Sequence, residues 1–73
     1  MQKLNLNQIS EALNDLPGWT FTNDTIHKNL SFDTYMDGID FVSQVAVTFT
    51  THDSGGITAN DITMAKEVER LLG

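Results

Sequence analysis

The chain has 73 residues, 40% of them apolar, and a formal charge of −6. A chain this short holds one domain with a modest core. Its four basic residues are too few for a nucleic-acid-binding patch, and the lack of cysteine excludes disulfides and thiolate metal sites. With so small a core, association with further copies is the remaining staple, and a homo-oligomer is expected. No apolar run approaches the roughly 20 residues that span a bilayer. The opening Met1-Gln2-Lys3-Leu4-Asn5 lacks the apolar stretch of a signal peptide. No membrane partner, no direct nucleic-acid partner and a cytoplasmic location are therefore expected.

The first predicted element is a helix. Asn5 can cap it, with Gln8 three residues on as a variant capping box. Leu6, Ile9, Leu13 and Leu16 recur near helical spacing, and Pro17-Gly18 ends the helix. A hairpin follows. Trp19 and Phe21 alternate with Thr20 and Thr22, Asn23-Asp24 supplies turn chemistry, and Ile26, Lys28, Leu30 and Phe32 share one face at period two. Lys28 interrupts an otherwise apolar row. His27 lies on the opposite face from Ile26, where a strand histidine is ordinarily solvent-facing.

A second helix is predicted to open near Thr34, with Asp37 in its first turn. Tyr35, Gly38, Ile39, Val42, Val45 and Ala46 make an amphipathic stripe, and Gly38 on that stripe suggests close approach of another backbone. Val47, Phe49 and Thr51 then alternate as a strand. No turn residue separates this strand from the helix, although a reversal of that kind normally needs a loop of a few residues. The preferred reading has the helix unwinding around Ser43-Gln44. A strand that starts earlier also fits, because Phe41, Val45, Val47 and Phe49 alternate too. A third outcome is a swap between subunits. The last helix has Thr58 as N-cap and Asp61 completing a capping box. Its apolar stripe is Met64, Ala65, Val68, Leu71 and Leu72; Lys66 and Arg70 form one row, and Glu67 and Glu69 are expected to be solvated.

The stretch from Thr51 to Asp61 carries the chemistry. His52 stands at a strand end, a glycine pair turns the backbone, and Asp61 enters on the first turn of the helix, so that one small pocket could use both. Histidine titrates near neutral pH and suits proton transfer. Plainer roles stand beside this. Asp61 is favoured at its position for capping and dipole reasons alone, a strand-end histidine can simply be exposed, and Gly55-Gly56 is explained by turn geometry. Trp19 and Phe49 suit the core. His52, Asp53 and Ser54 are neighbours in sequence, and a catalytic triad is defined by spatial roles instead. Two distant histidines give no metal site, and no cofactor is expected.

Taken together, Leu16-Pro17-Gly18-Trp19, then Ile26, Leu30 and Phe32, then Gly38, Phe41, Val45 and Ala46, then Val47-Thr48-Phe49-Thr50-Thr51-His52, and finally Gly55-Gly56-Ile57-Thr58 and Asp61 resemble the pterin-4a-carbinolamine dehydratase (4a-hydroxytetrahydrobiopterin dehydratase) family. The resemblance spans nearly the whole chain, residues 1–73, as a single domain. It implies an α+β fold in the order α-β-β-α-β-α, with an antiparallel sheet of about three strands, where the family has four, and helices on one face. The family's His-His-Pro motif and the strand after it have no counterpart here, as if an internal segment were excised. The implied activity is dehydration of a 4a-hydroxytetrahydropterin. By the same resemblance His52 matches one of three family histidines. Asp61 matches the family's acid, able to orient His52 or receive a pterin N–H, and Thr50, Thr51, His52 and Asp53 match the strand end that lines the pterin. With two histidines gone, weak or lost activity is expected. The alternative is a non-catalytic oligomeric interaction module, as in relatives that serve as dimerisation cofactors of a homeodomain transcription factor or resemble Rubisco assembly factors.

Overall fold

The computed structural model describes residues 2–72, and for Thr34, Met36 and Phe41 the backbone alone. The elements are α1 (Leu6–Leu13), β1 (Thr20–Thr22), β2 (Thr25–Met36), β3 (Ile39–Phe49), a short 3-10 turn (His52–Ser54) and α2 (Ala59–Leu72). The fold is α+β, with a three-stranded antiparallel sheet in the order β1-β2-β3.

Helix α1 starts where the sequence predicts. Asn5 Oδ1 accepts from Gln8 N at 2.8 Å and Gln8 Oε1 accepts from Asn5 N at 2.9 Å, so both halves of the capping box form. Ile9 and Leu16 are buried, while Leu6 is exposed. The first hairpin turns at Asn23-Asp24, both with positive φ (50° and 60°). That is the pattern of a type I′ turn, whose twist matches the flanking strands.

The predicted second helix is absent. Strand β2 runs on to Met36 and β3 begins at Ile39. Asp37 (φ 53°) and Gly38 (φ 78°) form a second two-residue turn. Gly38 therefore serves a left-handed turn and not a close approach: a Cβ placed there meets nothing within 4 Å. The earlier-starting strand is the reading the structure adopts. Its register pairs Ile26 with Phe49, Lys28 with Val47, Leu30 with Val45 and Met36 with Ile39. One face of the hairpin thereby receives the period-two apolar residues of both strands.

The core lies over the base of this hairpin. Ile9, Leu16, Trp19, Ile26, Ile57, Ile62 and Ala65 are buried, with Phe21, Val47, Phe49 and Val68 packed against them. Trp19 and Phe49 stack with ring centroids 5.8 Å apart, which places both in the packing. On α2 the buried positions are Asp61, Ile62 and Ala65. Met64, Leu71 and Leu72, predicted to join the apolar stripe, are exposed instead. Glu69 is not simply solvated: Trp19 Nε1 donates to its Oε1 at 2.8 Å and Lys28 Nζ donates to the same oxygen. This polar contact ties the end of α2 to the sheet and accounts for the lysine in the apolar row. No helix among the described residues is long and apolar enough to cross a membrane.

Candidate functional site

The site is built on the turn that joins β3 to α2. Beyond Phe49, Thr50 Oγ1 donates to the Asp24 carbonyl at 2.8 Å and pins the strand end to the first hairpin turn. Thr51 then makes an isolated antiparallel bridge with Gly56. Its N–H donates to the Gly56 carbonyl at 3.0 Å, and its carbonyl accepts from Gly56 N at 3.3 Å. Inside the bridge, Ser54 N donates to the Thr51 carbonyl and Gly55 N to the His52 carbonyl, each at 3.1 Å. Gly55 closes the turn in the left-handed region (φ 71°), a conformation glycine adopts without steric cost.

The predicted capping relation on α2 is present. Asp61 Oδ2 accepts from Thr58 N at 2.9 Å, and a carboxylate at this position also suits the helix dipole. The same oxygen accepts from Thr51 Oγ1 at 2.7 Å and lies 3.4 Å from Thr58 Oγ1. The two threonine hydroxyls are themselves 3.0 Å apart. Asp61 is 3% exposed, so its carboxylate sits in a small buried polar knot with Thr51 and Thr58. This satisfies the rule that a buried polar group needs hydrogen-bond partners.

His52 and Asp53 lie on the exposed outer side of the turn. Thr50 and Thr51 are half-buried beneath them. No hydrogen bond or ion pair joins the His52 imidazole to Asp61 among the described residues. The structure therefore brings Thr51, Thr58 and Asp61 together and holds His52 beside them, one residue along the chain. Thr58 was assigned only a capping role by the sequence, although its Thr-x-x-Asp spacing is the signal that places it in the knot. A cavity of about 740 Å³ opens elsewhere, between the start of α1 and the first hairpin, lined by Lys3, Leu4, Asn5, Leu6, Asn7, Ile9, Phe21 and Asp24. Residues 50–61 do not line it. The hydrogen-bonded turn is the better candidate, because it gathers ionisable and polar groups between a strand end and a helix start.

Comparison with known proteins covers this region. The family described as Pterin 4 alpha carbinolamine dehydratase matches residues 2–48 and 43–71, and the second match contains the whole turn from Thr51 to Asp61. The chain belongs to the pterin-4-alpha-carbinolamine dehydratase family. Relatives carrying that family's dehydratase name include one from Mycolicibacterium smegmatis, 36% identical over 92 positions that cover 99% of this chain and 98% of the relative. Another, from Mycobacteroides abscessus, is 34% identical and covers 100% and 99%. A third, from Prochlorococcus marinus, is 30% identical and covers 90% of each. The fold is similar to a crystal structure described as a transcriptional coactivator/pterin dehydratase from Brucella melitensis, with a TM-score of 0.81 and 22% identity over 99% of this chain and 100% of that one. The dehydratase family match breaks at residues 43–48, which fall in both matched segments.

Proposed function

We propose that this is a pterin-4a-carbinolamine dehydratase-like protein that binds a reduced pterin at the Thr50–Asp53 strand end and retains weak dehydratase activity or none. The observation that carries the proposal is the family match through Thr51, His52 and Asp61, in a chain whose only other histidine is His27. His27 sits in mid-strand, paired with Thr20 and Thr48. Dehydration needs the C4a–O bond to break with its electron pair going to oxygen, a proton to convert that oxygen to water, and loss of a ring N–H proton to close the C=N bond. A lone imidazole must serve as acid and base in turn. General acid–base assistance is typically worth about 10²–10⁴-fold, so the missing partners account for most of the acceleration.

The reading includes loss of an internal segment. It is supported by a 92-position match to a chain of 73 residues and by the overlap of the two family matches at 43–48. Residues 43–48 fit two places in the family, and here they form strand. Two measurements test the proposal. Histidine resonances are followed while a dihydropterin is titrated, and saturable movement of His52 is expected. Turnover of a 4a-hydroxytetrahydropterin is then measured. A rate matching that of relatives with the full histidine set overturns the activity claim, and an unmoved His52 overturns the binding claim. If residual turnover exists, His52→Ala abolishes it.

Self-association forms a second part of the proposal. An extended hairpin with an uncovered apolar face favours contact with further copies, and this use of the fold does not require histidines.

A further inference from the structure

We infer that Thr51 is a positioning residue for His52, and that Asp61 acts on the ligand site through Thr51. The inference rests on the pterin reading above for its functional meaning. Its structural half stands on the hydrogen bonds alone.

Every polar group of Thr51 is committed. The N–H and carbonyl are both paired with Gly56, and the carbonyl also accepts from Ser54 N. The hydroxyl points inward: it donates to Asp61 Oδ2 at 2.7 Å and lies 3.0 Å from Thr58 Oγ1. Thr51 Oγ1–H is directed at the carboxylate, and Thr58 Oγ1 lies within reach of both the Thr51 oxygen and the carboxylate. A hydroxyl used in this way is not presented to a pterin, which separates Thr51 from the ligand-lining role assigned by resemblance. Asp61 is buried, and Oδ2 already serves Thr58 N and the Thr51 hydroxyl. Thr51 is the joint between that oxygen and the backbone that carries His52. A charge-assisted hydrogen bond of this kind is stronger and more directional than a neutral one, and a displacement near 1 Å at a reacting group can cost up to about 10²-fold.

Thr51→Val keeps the shape and removes the donor, and Thr51→Ser restores it. The histidine ring resonances are recorded with His27 as internal reference, together with dihydropterin affinity. Expected for Thr51→Val is a folded protein in which His52 shifts, His27 does not, and affinity falls about tenfold or more; Thr51→Ser returns both readouts toward wild type. Glu69→Gln, a lesion at the far end of α2, is the control for lost stability and leaves His52 in place. A folded Thr51→Val with both histidines and affinity unchanged overturns the inference. So does a His52 shift equally large in Glu69→Gln, because that marks general loosening. If Thr51→Val does not fold, Asp61→Asn is measured in the same way: movement of His52 alone supports the inference, and unmoved histidines overturn it. Wild-type protein that binds no dihydropterin ends the pterin reading, yet a His52 shift in Thr51→Val still upholds the positioning role.

Discussion

At the scale of single residues, Asp61 ties two elements of the fold together. It caps α2 through Thr58 N and anchors the β3 end through Thr51. Asp61→Ala removes both and leaves buried donors unpaired. A lost cap costs about 0.5–2 kcal/mol and each orphaned buried donor about 1–3 kcal/mol. The expected destabilisation is therefore about 2–4 kcal/mol in urea unfolding, and a loss below about 0.5 kcal/mol contradicts the knot. The cap was legible in the sequence because Thr58 and Asp61 are three apart. The Thr51–Asp61 bond was not, because it depends on the bridge between Thr51 and Gly56 folding the intervening turn back. Glu69 was missed for a related reason. Its partners Trp19 and Lys28 are 50 and 41 positions away, although the lone lysine in an apolar row hinted that an acid must face it.

At the scale of elements, the Glu69 contact makes the docking of α2 on the sheet sensitive to acid. Hydrogen bonds from Lys28 first and Trp19 second hold the Glu69 carboxyl below its ordinary 4.5. A group depressed in the folded state contributes fully above 4.5 and loses that contribution as pH falls through the lower folded value. The thermal midpoint of wild type should therefore drop more steeply than that of Glu69→Gln as pH falls below 4.5; parallel curves contradict the role. The hairpin is the element where sequence periodicity misled. Tyr35, Gly38, Ile39, Val42, Val45 and Ala46 fit a helix, yet Phe41, Val45, Val47 and Phe49 also alternate. The deciding features are the Asp37-Gly38 turn and the matching apolar row on β2, neither of which a helical stripe takes into account. Gly38→Ala distinguishes the two by sign. In a helix it gains about 1 kcal/mol, whereas at φ 78° it costs about 1–2 kcal/mol. A lower urea midpoint is expected, and a higher one means helix.

At the scale of the whole molecule, the hairpin makes the chain long. The radius of gyration is 14.6 Å and the greatest extent 49 Å, against a radius of roughly 11 Å for a compact domain of this length. The core stops at Ile26 and Val47, and the outer hairpin continues the same face past it. Phe32 is 44% exposed, Val45 48% and Ile39 56%. The family resemblance would have put a helix from this segment in the helical layer, and the segment is spent on strand instead. Among the described residues the outer edge of strand β3 is unpaired, an arrangement that invites pairing with another chain. The charges bear on how copies would meet. Between residues 29 and 49 there are three aspartates and no lysine or arginine. Asp33 and Asp40 pair with Val42 and Tyr35 on the face opposite Phe32, and Asp37 sits in the turn. Apolar contact is thus available on one side while like charges oppose close approach along the hairpin. Sedimentation over a range of concentrations should show reversible association that strengthens with added salt, because screening weakens repulsion at these distances while apolar burial persists. Phe32→Ser with Val45→Thr should shift the equilibrium toward monomer without lowering the thermal midpoint of the dilute protein, since neither side chain belongs to the buried core. A wild-type protein that stays monomeric at every concentration and salt level means that the exposed face is tolerated without a partner, and removes self-association from the function proposed for this chain.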